Sequence, residues 1–547
     1  MVTPLSCGAT WLLAWGQVEQ VPPSWHQEPA LAIAPGTPYA VSPSGRFMVL
    51  GEAWFPQVKQ MAALEFVAHQ WEQLATKTWA ELVGTFSLAV WDRAQRQLWL
   101  GRDRAGSKTL YYIVHGQTGW AANQLRALSP YRSNQIDLTA LRDYLTCAFV
   151  PGGRTLWQDV QELRPGTTLQ LPAGKANQYW TLQEQITGAE QALAWHGDRL
   201  RPLLHQVVKE ALPQSASIGV FLSGGLDSSA ITALAAKHHS HPVHTYSIHF
   251  GRDLPNELEF SRLVAAHCQT QHHVLEISLK KLWMALPETM HVLDDPIGDP
   301  LTVPNLLLGR LAQESVGIVL NGEGGDPCFG GPKNQPMLIN RLYSPVNASA
   351  ALQAYLNSFQ KCAIDLPNLL QPDVWQRVQA EPWIFADDLN SPQTYLNRLM
   401  ILNIKFKGAD HILTKVNNLT RAAGIEGRSP LFDPRIVNLS MEIPPAYKLS
   451  GTQEKAVLKQ AVLDLLPEAI IHRPKSGMMV PVQVGFREHW NRQAKALLLN
   501  RKAAIAPYLN QAIIRDWLNY RGDTWNRYGV KLWLLASLEY WLQEHSP

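Results

Sequence analysis

The chain has 547 residues, of which 46% are hydrophobic, and a formal net charge of +3. This length predicts several domains, each with ample core. The lysines and arginines are dispersed rather than clustered, so we expect no nucleic-acid partner. The sequence shows neither a secretory leader nor an apolar run of membrane-spanning length, and we expect no membrane association.

The cysteines indicate neither a disulfide framework nor a zinc site. Their number is odd, and no two of them have the Cys-x-x-Cys spacing. We therefore expect a reducing, cytoplasmic location. The cysteines are Cys7, Cys147, Cys268, Cys328 and Cys362.

Residues 1 to about 180 have the pattern of a β-rich region. Short apolar segments such as 86–91 and 98–100 are separated by turn residues, which is typical of antiparallel strands. A polar segment over 182–197 then leads into the second half of the chain.

The second half alternates buried strands, glycine turns and helices. Apolar runs over 218–222, 243–250 and 317–320 predict parallel strands, and long helical stretches follow them. We predict an α/β fold, with a Rossmann-like doubly wound domain and a helical extension.

A glycine-rich turn at 221–229 (Phe-Leu-Ser-Gly-Gly-Leu-Asp-Ser-Ser) joins the first of these strands to a helix. The amides at a helix N-terminus attract an anion, and glycines allow its close approach. Asp227 would repel bare phosphate, but it fits if Mg²⁺ joins it to a pyrophosphate. We predict that ATP and Mg²⁺ bind here. The predicted ATP-binding residues are Leu222, Ser223, Gly224, Gly225, Asp227, Ser228 and Ser229.

The alternative is an ordinary Gly-rich strand-to-helix turn. The stretch lacks the lysine of a Walker loop and the spacing of a dinucleotide loop. It resembles the PP-loop of ATP pyrophosphatases, which cleave ATP between its α and β phosphates and adenylate a substrate.

A second glycine loop, Asn-Gly-Glu-Gly-Gly-Asp at 321–326, follows the strand at 317–320. Loops at neighbouring strand ends share one crevice, so Gly322 is also predicted to approach the nucleotide. Glu323 and Asp326 would repel phosphate unless one binds metal or acts as a base. The alternative is an acidic surface turn.

Taken in order, the motifs of the chain resemble those of the asparagine synthetase family. The resemblance implies an N-terminal Ntn-hydrolase-like αββα sandwich of the glutamine amidotransferase type over 1–180. It also implies a synthetase domain of the adenine nucleotide alpha hydrolase type over 195–547. The matching segments are 101–112, 162–166, the two glycine loops, 424–433 and 472–477.

The residue comparison implies that the glutaminase half is inactive. The nucleophilic cysteine expected at position 2 is Val2. The asparagine expected to hold the oxyanion is Leu50, and an aspartate expected before Gly84 is Val83. Cys7 resembles the family's first cysteine, and removal of six residues would expose it. The other losses disfavour that alternative.

The synthetase chemistry is implied to be intact. Asp227 and Asp326 would share Mg²⁺, and Ser247 would border the adenosine. Glu323 matches the general base that deprotonates the attacking amine. Lys475 matches a lysine that neutralises charge on the acyl-adenylate.

Four further positions concern the substrate. Glu426 and Arg428 match either an internal ion pair that shapes the acceptor pocket or a pair that touches substrate. Pro327 replaces a glutamate, which removes a carboxylate and an amide donor. Asn417 stands where aspartate is common. These changes put aspartate in doubt as the carboxylate substrate.

Three functions stay open. The first is an amide synthetase that joins a small-molecule or peptide carboxylate to ammonia or an amine. The second is a ring-closing enzyme similar to β-lactam synthetases or lasso-peptide cyclases, whose substrate carries its own amine. The third is a non-catalytic nucleotide-binding regulator. A homodimer also remains open as the assembly.

Overall fold

The computed structural model describes residues 10–16, 21–56, 58, 63–251, 254–343, 348–450, 453–473, 477–520 and 527–546. The predictions for Val2, Cys7 and Lys475 lie outside these residues.

The first half contains two antiparallel sheets packed face to face. Within the described residues, the first sheet has the order β10-β8-β9-β1-β3-β2 and the second β12-β11-β7-β6-β5-β4. The strands are β1 Leu12–Trp15, β2 His26–Glu28, β3 Leu31–Ile33, β4 Tyr39–Val41, β5 Phe47–Trp54, β6 Thr85–Asp92, β7 Gln97–Arg102, β8 Tyr111–His115, β9 Thr118–Ala122, β10 Gln161–Glu162, β11 Thr167–Leu171 and β12 Lys175–Gln178.

Apolar side chains point alternately to the two faces of these sheets, so that both faces are packed. Leu50 of β5 packs toward the other sheet, whereas its neighbour Val49 packs against helix α1 (Ala63–Leu74). Helix α3 (Leu138–Cys147) covers the far side of the first sheet and shares a core with Tyr111. The layers are therefore helix, sheet, sheet and helix, as predicted.

A parallel sheet forms the centre of the second half. In the described residues its order is β15-β14-β13-β16-β17, and all its pairs are parallel. The strand order reverses between β13 and β16, which places a crevice at their carboxyl ends. The predicted fold class is confirmed. The strands are β13 Ile218–Phe221, β14 Val243–His249, β15 Gln271–Glu276, β16 Ile318–Leu320 and β17 Glu426–Arg428, and a separate hairpin has β18 Leu449–Ser450 and β19 Gln453–Glu454.

Helices flank the sheets and form the C-terminal extension. A π-helical segment over Asn403–Leu413 leads directly into α17. The remaining helices are α2 Thr78–Glu81, α4 Leu193–Ala211, α5 Leu226–His238, α6 Leu258–His267, α7 Leu279–Met284, α8 Leu286–Val292, α9 Thr302–Gln313, α10 Gly325–Phe329, α11 Gln335–Tyr343, α12 Ala348–Ser358, α13 Leu366–Leu369, α14 Pro372–Val378, α15 Ala386–Leu389, α16 Tyr395–Leu402, α17 Thr414–Ala422, α18 Pro434–Glu442, α19 Ala456–Ala461, α20 Glu468–Ile471, α21 Val482–Val484, α22 Asn491–Leu498, α23 Gln511–Leu518 and α24 Tyr528–His545.

The two halves are joined by hydrogen bonds and by ion pairs. The Tyr144 hydroxyl donates to the Leu534 carbonyl at 2.9 Å, and Arg164 pairs with Asp410 at 2.6 Å. The domain limits 1–180 and 195–547 stay predictions. None of the described helices is long and apolar enough to span a membrane.

Candidate functional site

A cavity of about 330 Å³ opens at the carboxyl ends of β13 and β16. Both predicted glycine loops form its wall, together with residues of α9, the π-helical segment and α17. The predicted residues that line it are Leu222, Ser223, Gly225, Asp227, Ser228, Ser247, Gly322, Glu323 and Asp326.

The first loop forms a cradle at the N-terminus of α5. Gly224 has a φ of +79°, which favours glycine. The Ser228 hydroxyl accepts from the Ser223 amide and donates to the Gly225 carbonyl, both at 3.2 Å. A Cβ atom on Gly225 would contact only the Ser223 hydroxyl, at 3.4 Å. The space before the first helical turn is therefore open, and its amides suit an anion.

The second loop packs directly against the first. A Cβ atom on Gly322 would lie 2.4 Å from the Ser228 amide nitrogen, and one on Gly325 would lie 2.2 Å from the Asp227 carboxyl carbon. Any larger residue at these two positions would separate the loops. The glycines therefore bring Asp227 close to the loop that carries Glu323 and Asp326.

Lys455 connects the two predicted metal ligands. Its ammonium lies 2.5 Å from an oxygen of Asp227 and 2.5 Å from an oxygen of Asp326. Burial alone would lower the pKa of Lys455, but the two carboxylates outweigh that effect and raise it. The two aspartates therefore share one positive charge, the ammonium of Lys455.

Beside Glu323 lies a group of charged residues on the π-helical segment, α17 and the turn before α9. Lys415 donates to Asp299 at 2.8 Å, and His411 lies 3.2 Å from the same carboxylate. Although burial opposes it, Lys415 and His411 hold the pKa of Asp299 well below its usual range. Burial lowers the pKa of His411 to about 4, which leaves its ring neutral near pH 7.

Glu426 and Arg428 line a second, smaller cavity of about 60 Å³ at the boundary between the halves. Arg428 donates to Glu426 at 2.8 Å and stacks over Trp54 of the first half. The predicted ion pair is present, and the wall of the large cavity described above includes neither residue. Their contact with substrate stays a prediction. Asn417 also lines this smaller cavity.

The carboxylate of Glu52 is occupied by cations and an amide. Glu52 lies in β5 close to Leu50, the position at which the family comparison predicts the loss of an oxyanion-binding asparagine. Arg421 of α17 contacts it at 3.1 Å, Lys108 at 3.4 Å, and the Asn123 amide donates to it at 2.9 Å. Burial would raise the pKa of Glu52, but Lys108 and Arg421 reverse this and lower it.

The sequence located the loops but missed the cations around them. Lys455, Lys407 and Arg421 follow no periodic pattern, and Lys455 has a φ of +54°, which no sequence signal indicated. Gly224 and Ser229 belong to the first loop without lining the cavity. Cys328 is fully buried, and burial raises the pKa of its thiol to about 12. Of the two residues that differ from the family's second loop, Pro327 therefore faces the cavity and Cys328 does not.

Comparison with known proteins gives two matched families. Residues 199–543 match asparagine synthase, and residues 56–180 match the glutamine amidotransferase domain. A putative glutamine-hydrolysing asparagine synthetase of Mycobacterium tuberculosis is 27% identical over 472 residues, covering 78% of this chain and 70% of that protein. Glutamine-hydrolysing asparagine synthetase 1 of Bacillus subtilis is 24% identical over 473 residues, covering 79% and 72%.

Proposed function

Since the chain belongs to the asparagine synthase family, we propose that it activates a carboxylate with ATP, forming AMP and pyrophosphate, and transfers the acyl group to ammonia or an amine. One observation carries this proposal. The pyrophosphate-type loop and the loop with Glu323 meet on one cavity, and Asp227 and Asp326, which both line it, pair with the same lysine, Lys455.

The reaction has two steps in this site. A carboxylate oxygen of the substrate attacks the α-phosphorus of ATP, and the bond to the bridging oxygen breaks, which releases pyrophosphate. The amine then attacks the acyl carbon, AMP leaves, and the amine proton passes to Glu323. The amides of the first loop and the Ser223 and Ser228 hydroxyls bind the departing pyrophosphate.

The donor set fits Mg²⁺, which prefers carboxylate and phosphate oxygens and retains several waters. Asp227 and Asp326 would hold it, and bound Mg²⁺ would neutralise charge on the phosphates. In the described residues, no three His, Cys, Asp or Glu side chains cluster as metal ligands. Two carboxylates with a phosphate partner are nevertheless the usual arrangement for this ion. Besides Mg²⁺, we propose Lys475 as a second positive charge, which would neutralise charge on the acyl-adenylate.

The proposal includes an inactive glutaminase. At the position where the family's asparagine would donate its amide to the oxyanion, this chain has Leu50, which is fully buried in the sheet core. The neighbouring Glu52 is held by Arg421 of the other half, so its charge is already paired. We therefore propose free ammonia or another amine as the nitrogen source, and aspartate or a related acid as the carboxylate.

The same Glu52–Arg421 pair supports a second candidate, an intramolecular amide-forming cyclase. A substrate that carries its own amine makes an ammonia-producing half unnecessary. The presence of Glu323 in the cavity favours the intermolecular reaction, because β-lactam synthetases resemble this loop with a tyrosine at that position.

Hydroxylamine trapping tests the proposal. The wild-type protein is incubated with Mg-ATP, hydroxylamine and, in turn, aspartate, other acids and carboxyl-bearing peptides. We expect an acyl hydroxamate with equal amounts of AMP and pyrophosphate from at least one acid, and none from Asp227→Asn. ATP binding without any such product would support the non-catalytic regulator instead.

A further inference from the structure

Lysines along the π-helical segment and the start of α17 differ in how their charge is satisfied. Lys405 pairs with Asp388 at 2.8 Å, and Lys415 pairs with Asp299 at 2.8 Å. Lys407 lies between them on the same segment and lines the large cavity. Among the described residues, its ammonium makes no hydrogen bond or ion pair.

The carboxylates around Lys407 are mostly engaged elsewhere. Asp326 is paired with Lys455, and Asp299 with Lys415. Glu323 is the proposed base for the amine. Each of these three acids lies near enough to raise the pKa of Lys407, but none bonds to it.

A second positive charge lies near Lys407. The Asn403 side chain donates to Asn334 at 3.1 Å, which ties the π-helical segment to the turn that carries Lys333. Lys333 also lines the cavity. A half-buried cation beside another cation is stabilised by an anionic ligand.

We propose that Lys407 is a specificity-determining residue that binds an anionic group of the acid substrate other than the carboxyl that reacts. This inference rests on the proposed function and assigns one contact in its substrate pocket to Lys407. The first glycine loop supplies the amides and serine hydroxyls that would bind the phosphates of ATP. Lys407 lies on neither glycine loop and is not needed for that role. The second anionic group of the substrate is the remaining partner for this ammonium.

Steady-state kinetics test the role of Lys407. Pyrophosphate release is followed with Mg-ATP and saturating ammonium chloride while aspartate is varied. We expect Lys407→Met to raise KM for aspartate at least about tenfold, as for loss of a charge-assisted bond, with kcat within about threefold. Lys407→Arg keeps the charge and should recover most of the loss. Lys405→Met, whose partner Asp388 does not line the cavity, is the matched control.

Two kinetic results would overturn the proposal. An unchanged KM in Lys407→Met would show that the ammonium does not contact the substrate. A lower kcat with unchanged KM would place Lys407 at the reacting atoms instead.

A binding experiment separates this inference from the proposed function. The thermal shift given by sodium succinate is compared with that given by sodium butyrate at equal ionic strength. We expect a larger succinate shift in the wild type and its loss in Lys407→Met. That result without turnover of any acid would contradict the proposed function alone. A succinate shift equal to that of butyrate, or unchanged in Lys407→Met, would contradict the role of Lys407 alone.

Discussion

Lys455→Met is the perturbation that most directly probes how the two glycine loops are held. The side chain of Lys455 is 2% exposed, and its ammonium lies 2.5 Å from both Asp227 and Asp326, which are 12% and 33% exposed. Methionine preserves most of the volume but leaves two carboxylates facing each other. Breaking a buried ion pair by removing one partner costs about 3–5 kcal/mol. The partial exposure of Asp326 favours the lower value.

Scanning calorimetry measures the effect. Taking about 2 °C for each kcal/mol in a large domain, we expect the melting temperature of the synthetase half to fall by roughly 6 °C. Lys459→Met, one turn further along α19, has no carboxylate partner among the described residues and should change it by about 1 °C or less.

The same variant tests the metal prediction without turnover. In Lys455→Met the ammonium no longer competes with Mg²⁺ for the two aspartate carboxylates, so Mg²⁺ should stabilise the variant by about 2.7 kcal/mol at one hundred times its Kd. Addition of MgCl₂ should therefore raise the melting temperature of Lys455→Met more than that of the wild type. If Lys455→Met has the same melting temperature as Lys459→Met and shows no extra response to Mg²⁺, Lys455 does not bridge Asp227 and Asp326 in solution.

Three further predictions concern the base, the substrate anion and the nitrogen source. Glu323→Gln should retain ATP–pyrophosphate exchange but lose amide formation by about 10²–10⁴-fold, since only proton transfer is removed; equal loss of both would contradict its role. Burial and the neighbouring Lys333 lower the pKa of Lys407 to about 8, although Asp326, Asp299 and Glu323 oppose the shift. The ammonium is therefore lost above about pH 8, where KM for the acid should rise. In Lys407→Arg, KM should stay flat to about pH 9.5, and an identical rise in both proteins would exclude this cause. Arg421→Met should lower the melting temperature by several degrees through the loss of the Glu52 pair, and glutamine should support no amide formation in it or in the wild type. Glutamine-driven synthesis that disappears in Cys7→Ser would contradict the inactive glutaminase.

The glycine loops were predictable because their chemistry is local. A strand, two glycines and a helix start fix the backbone at Gly224 and Gly225 without help from distant residues. The order of strands then brings the second loop alongside, so the meeting of Asp227 with Asp326 follows from the fold class. Both glycine loops of the cavity, and Glu323 on the second, were therefore predictable from the sequence.

The cations were not predictable because their roles depend on tertiary contacts. Lys455 reaches Asp227 across 228 positions of sequence, and Arg421 reaches Glu52 across 369. Nothing in the local pattern distinguishes Lys407 from Lys405, although one lines the cavity and the other pairs with Asp388. Only the packing of the helices around the sheet separates these lysines.

Oxygen transfer from the acid to AMP is the most direct test of the central claim, which is adenylation of a carboxylate. The acid identified by hydroxylamine trapping is labelled with ¹⁸O in its reacting carboxyl and converted with Mg-ATP and ammonium chloride. We expect one ¹⁸O atom in the phosphate of each AMP, because the carboxylate oxygen that attacks the α-phosphorus leaves with it. Formation of ADP, or of AMP without the label, would rule out adenylation of the carboxylate.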